Sequence, residues 1–148
     1  MWRRFSDDAK LLVTLSQELA AQRGEHQVST EVLLMALVSL ENCKGAQVLA
    51  DLHITKAAIY AAIEKRSPCT GIPIKADCTL TPCVQKAVDR ASQAAERCSD
   101  PKIGTEHLLL GLLDQEHGAA SRVLQDMGVH SQQVELALGL SREMAAKG

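Results

Sequence analysis

Apolar residues recur at helical spacing in two stretches of the chain, and the two stretches are copies of one another. Leu33, Leu34, Leu37 and Val38 follow an i, i+1, i+4, i+5 rhythm, an apolar stripe wide enough for a helix that faces a core. Sliding the sequence by 75 places lays Val28-Ser29-Thr30-Glu31-Val32-Leu33-Leu34 over Ile103-Gly104-Thr105-Glu106-His107-Leu108-Leu109. Residues 5–65 against 80–140 then give 12 identities in 61 ungapped pairs. Val28/Ile103, Met35/Leu110, Val38/Leu113 and Ile59/Val134 add apolar pairs in the same register. Self-similarity of this extent marks a duplicated module.

Each copy reads as four helices. In the first, Ser6 caps a helix with Asp7 and Asp8 in its first turn, and Gly24 stops it. A second helix starts at Ser29 or Thr30, a third runs from about residue 45 to 52, and a fourth from about 55 to 65. In the second copy Thr81 caps a helix with Pro82 at its first position, where a missing N–H costs nothing. Thr105 opens the next, Gly128 ends the third, and Ser131 starts the fourth. Pro68, Gly71 and Pro73 interrupt any periodicity between the copies. The expected architecture is therefore all-α: eight helices as two tandem four-helix repeats, packed about a pseudo-twofold axis so that neither leaves an apolar face in water. We treat residues 1–148 as one domain, with repeat one at 5–65, a linker at 66–79, repeat two at 80–140 and a polar tail at 141–148.

Composition narrows the class. A chain of 148 residues can bury a sufficient core without disulfides, and 46% hydrophobic with 23% charged residues excludes intrinsic disorder. Trp2, Phe5 and Tyr60 are the only aromatics, which also favours helix over strand. Sixteen Lys and Arg against eighteen Asp and Glu leave a net charge of -2, without the basic surplus on which nucleic-acid binding depends. No apolar stretch approaches the roughly 20 residues of a membrane span. Arg3 and Arg4 are followed by Ser6-Asp7-Asp8 and not by an apolar run, so no export signal is expected and the cytosol is the default compartment.

Arg4-Phe5-Ser6, Thr81-Pro82, the run Gly104-Thr105-Glu106-His107-Leu108-Leu109-Leu110-Gly111, and Val123-Leu124-Gln125-Asp126-Met127-Gly128-Val129 resemble the double Clp-N repeat, the amino-terminal domain of Clp-type AAA+ unfoldases. The likeness spans about residues 4–140, and the short linker with Thr-Glu in both copies looks most like the ClpC-like branch. The resemblance implies a monomeric domain that binds protein clients or adaptor proteins and passes them to a Clp ATPase ring or protease complex. In ClpC-like members the glutamates of the two Thr-Glu motifs also help bind phosphorylated arginine, which places Thr30, Glu31, Thr105 and Glu106 as ligand residues. Val32, Ala36 and His53 depart from the histidine, glycine and glycine usual at those places. The chain would be either the domain of a full ATPase or a free-standing accessory protein that regulates a Clp complex.

Two readings of the glutamates stand on physical grounds. A carboxylate beside unpaired helix-start N–H groups suits a ligand carrying both guanidinium and phosphate; alternatively it only complements the helix dipole. Phe5 and Leu80, at equivalent places before each first helix, either staple the chain to that helix or line a hydrophobic docking groove. Cys69, Cys78, Cys83 and Cys98 lack the paired spacing of a zinc site, and Cys83 and Cys98 are expected as small buried or half-buried residues of repeat two's first helix. Asp114-x-x-His117 has the spacing of half a di-metal motif, but no second half is present. His107 lacks a nucleophile placed beside it by any motif, and no Gly-x-x-x-x-Gly-Lys phosphate loop occurs. Neither a metal, a cofactor nor an enzymatic activity is expected of these residues; a metal-binding bundle or enzyme is the contrasting reading.

Overall fold

Ser6 behaves as its sequence position requires: its hydroxyl accepts the Ala9 N–H at 3.1 Å and opens α1 (Asp7–Gln22). A computed structural model describes residues 2–40, 42–66, 71–75, 78–114 and 118–137, and the expected tail 141–148 lies outside them. Ser29 caps α2 (Thr30–Ser39) by accepting the Val32 N–H at 3.2 Å. α3 (Lys44–Asp51) and α4 (Lys56–Arg66) complete repeat one. In repeat two Thr81 caps α5 (Pro82–Arg97) through the Val84 N–H at 3.3 Å, followed by α6 (Thr105–Leu113), α7 (Ala119–Asp126) and α8 (Ser131–Ala137).

The centre of the molecule is the pair α2 and α6. Val32 through Val38 and every residue of α6 are buried, which is why the two stretches read as apolar almost all round. α1 packs on α2 and α5 on α6 within each repeat, but α3 packs on α6 and α7 on α2 across the repeats. The exchange extends to the backbone. Strand β1 (Gln27–Val28) pairs in parallel with β2 (Thr79–Leu80), Val28 opposite Leu80, and Phe5 bridges Ile103 in parallel. The Ser6 N–H donates to the Ile103 carbonyl at 2.9 Å and the Thr81 N–H to the Val28 carbonyl at 3.1 Å, equivalent bonds in the 75-residue register. Each repeat thus supplies the segment before its first helix to the segment before its partner's second helix. The strands add to the all-α expectation; two residues are too few to show strand alternation in sequence.

The duplication is uneven in its turns. Gly24 and Gly128 adopt φ of 75 and 84, and their register partners Ser99 and His53 adopt 56 and 64. Each repeat therefore keeps glycine at one left-handed position and forces an ordinary residue into the other, at about 1–2 kcal/mol. α6 also lies closer to its neighbour than α2 does, since a Cβ at Gly111 would fall on the Ala87 carbonyl oxygen, whereas repeat one carries Ala36 there. Arg66 ends α4 and Thr79 belongs to β2, so the connection between repeats begins after the former and ends before the latter. Its described part runs beside α1, with the Ile74 N–H donating to the Ala21 carbonyl at 2.9 Å.

Candidate functional site

The two Thr-Glu pairs point in two directions. Thr30 and Thr105 are buried, 4% and 2% exposed, and turn toward the opposite repeat. The Thr105 hydroxyl accepts the Gly45 N–H at 3.0 Å at the start of α3, and Thr30 accepts the Ala120 N–H at 3.4 Å at the start of α7. Each threonine thus satisfies a donor that an α-helix start leaves open, in the other copy. That position holds the two repeats together and keeps both hydroxyls engaged.

Glu106 stays at the surface of the seam. Its side chain is 9% exposed, and its Oε2 lies 3.6 Å from Lys44 Nζ. The carboxylate folds back over Gly104, where a Cβ would collide with it. It borders a pocket of about 250 Å³ that also holds Asp8, Lys44, Asp100 and Lys102. Lys44 already pairs with this carboxylate, and a ligand cation seated there would compete with that lysine for it. The pocket thus gathers two lysines and three carboxylates, Asp8, Asp100 and Glu106. A larger and more apolar hollow, about 410 Å³ between Val38, Leu49 and Ile54, gathers no such opposed charges.

His107 completes this helix start without joining the ionic chemistry. Its Nδ1 accepts the Gly104 N–H at 2.9 Å. Burial holds the imidazole pKa below its ordinary value against the opposing pull of Glu106 and Asp100, so the ring is neutral and its approach to Glu106 Oε1 at 3.8 Å is not an ion pair.

Glu31, the counterpart of Glu106, is half-buried in different company. Ser29 puts a side chain where Gly104 leaves space, and the places of Lys44 and Lys102 are taken by Ala119 and Gln27. Glu25, in the place of Asp100, is held by the buried Arg23 at 2.7 Å, which also binds Glu64 at 2.6 Å.

Of the remaining expected residues, Phe5 is 4% exposed and belongs to the seam through Ile103, and Leu80 is half-buried opposite Val28. Cys83 is exposed, against the expectation of burial, because it falls off the apolar stripe Val84, Ala87, Val88, Ala91 and Ala95 that α5 turns inward. Cys98 is half-buried just past α5, and the Cys78 thiol donates to the Glu25 carbonyl at 3.3 Å. Cys69 and His117 lie outside the described residues, among which no three of His, Cys, Asp and Glu gather into a metal-sized cluster. Asp114 ends α6, its carboxyl raised by burial and by Glu135. No single helix among the described residues is long and apolar enough to cross a membrane. Sequence reasoning missed Asp8, Lys44 and Lys102: none lies in a motif with Glu106, and Lys44 comes from the other repeat.

Against known proteins, the family model described as the Clp repeat (R) N-terminal domain matches residues 4–127 and 79–147. The chaperone protein ClpB of Oceanobacillus iheyensis is 32% identical over 151 residues, which cover 99% of this chain and 18% of that protein. The chain therefore spans less than a fifth of the length of such a relative. Among solved structures, the N-terminal domain of the caseinolytic protease associated chaperone ClpD from Arabidopsis thaliana superposes with a TM-score of 0.75 at 22% identity, covering 96% of this chain and 99% of that one. A ClpV N-domain in complex with a VipB peptide gives 0.74 at 14% identity, covering 94% and 88%. At these identities the structural likeness speaks for the fold.

Proposed function

The chain belongs to the Clp repeat N-terminal domain family, and from that premise we propose that it is the client- or adaptor-docking module of a Clp ATPase system, with the Glu106 pocket as a site for phosphoarginine-marked protein. One observation carries the reading: a carboxylate 9% exposed, paired with Lys44 at 3.6 Å, borders a pocket that also holds Lys102. A guanidinium matches the carboxylate in charge and planarity, and Lys44 and Lys102 in the same pocket supply cations for a phosphoryl group. The peptide held by a related N-domain, that of ClpV, supports protein segments as the class of partner. The work of the site is recognition; its residues supply no nucleophile or phosphate loop.

Calorimetry with one peptide in two forms, carrying arginine or phosphoarginine at a single position, tests this. The marked peptide is expected to bind about tenfold more tightly or better, the scale of an added charge-assisted contact. Equal affinity would remove phosphoarginine from the reading and leave adaptor docking. Titration with the unmarked peptide also reports whether protein segments bind at all.

A further inference from the structure

We propose that the apolar hollow beside α3 and α4 of repeat one is a second docking site, for a partner protein segment in which a bulky apolar residue is followed directly by an acidic one. The inference rests on the chain's being a protein-docking module, and goes beyond the Glu106 pocket, with which the hollow shares no lining residue. Val38 and Leu49, 6% and 1% exposed, and the half-buried Ile54 give the hollow its apolar floor. Ala46 and Ala50 line its α3 side, and side chains so short leave about 410 Å³ open. A space of that size accepts a large apolar side chain, whose burial supplies the affinity.

The rim adds a charge of one sign. His53, Thr55 and Lys56 complete the lining, and no acidic residue belongs to it. Lys56 stands 5.5 Å from the Tyr60 ring centroid and has no ion pair among the described residues, so its charge is open to a carboxylate. An apolar seat beside an unpaired lysine is complementary to an apolar residue beside an acid. His53 holds the lip at a φ of 64, where repeat two has Gly128 at 84. Backbone strain of this kind gathers at ligand clamps, and an imidazole brings an N–H donor that glycine lacks.

Repeat two fills the same places with a polar pair. Ser121 and Gln125 stand where repeat one has Ala46 and Ala50. Gln125 Nε2 donates to Ser121 Oγ at 3.1 Å, and that hydroxyl donates to the Leu113 carbonyl at 3.2 Å. Ser131 stands in the place of Lys56.

The full chain, isotope-labelled, would be titrated by NMR with three peptides blocked at both ends and alike except at two central positions: leucine then aspartate, leucine then asparagine, and serine then aspartate. The first is expected to give saturable shifts from Leu49 to Lys56. Replacing its leucine by serine should weaken binding about tenfold or more, as loss of a buried apolar side chain does. Replacing its aspartate by asparagine should weaken it about two- to fivefold, the scale of an exposed ion pair, and Lys56→Met should erase that preference. The double variant Ala46→Ser, Ala50→Gln, which transplants the pair from repeat two, should lose the shifts while its spectrum shows it folded. No saturable shift at the hollow with millimolar leucine-aspartate peptide, or shifts at Gly104 to Glu106 in its place, would overturn the site. Binding kept in the double variant would do the same, and an unchanged preference in Lys56→Met would overturn the acidic half of the motif. Shifts at the hollow on concentrating the chain without peptide would assign it to contact between copies and overturn the partner segment. The peptides carry no arginine, so failure here leaves the Glu106 reading and its calorimetric test as they stand.

Discussion

Repeat one and repeat two start the same helix with opposite halves of one device. In a capping box the first residue's side chain accepts from the third helical N–H while the third side chain accepts from the first N–H. At α2 only the first half exists: Ser29 accepts from Val32, which has no acceptor to return. At α6 only the second exists: Gly104 has no side chain, and its N–H is taken by the His107 ring. Both helices start at equivalent residues, yet the consequence for the neighbouring glutamate differs. Glycine at the cap leaves room for Glu106 to fold inward, and serine at the cap occupies the equivalent room beside Glu31. Duplicated folds can therefore diverge in side-chain arrangement through the residue that starts a helix, without any change of register.

The largest break in the comparison is expected at Gly111. Gly111→Ala drives a Cβ onto the Ala87 carbonyl and should cost about 1–3 kcal/mol as α6 is forced from α5. Ala36→Gly in repeat one should cost only about 0.5–1 kcal/mol of helix propensity. Urea denaturation of the pair would show the contrast, and equal losses would mean that the two helix pairs pack alike. Smaller effects of opposite sign are expected at the left-handed turns. His53→Gly and Ser99→Gly should each stabilise by up to about 1 kcal/mol, because relief at positive φ outweighs the added freedom of the unfolded chain. A loss in either melting curve would show that the native side chain contributes more than its strain.

The smallest contrast is in pH. Burial lowers the His107 pKa in the folded chain, so the unfolded chain binds the proton first as pH falls. Stability owed to the neutral ring is complete above the unfolded value of about 6.5 and declines below it until the folded value is passed. Wild type should lose stability on acidification below about pH 6.5 more steeply than His107→Gln, while Val32 gives repeat one no corresponding term. Parallel profiles for the two proteins would dismiss His107 as the source.

Much of this was legible along the chain. Ser6, Ser29, Thr81 and Pro82 start helices where their side chains and missing donors require, since caps act over three or four residues. The stripes of α2 and α6 announced the core for the same local reason. His53 was visible as a departure from glycine, but not that it would still take a left-handed φ of 64. Thr30 and Thr105 drew attention as ligand residues beside the glutamates, and their hydroxyls instead meet helix starts in the opposite copy. Cys83 could not be assigned a face until the inward side of α5 was fixed.

By itself the sequence determined the helices, their duplication and the family, because periodicity, caps and a 75-residue repeat are properties of neighbouring or regularly spaced positions. Only the tertiary structure decided that the repeats exchange their segments, and that Lys44 and Glu106 meet at 3.6 Å. Those relations join residues far apart in the chain, and the strength of an ionic site depends on distance and burial, which no order of residues states.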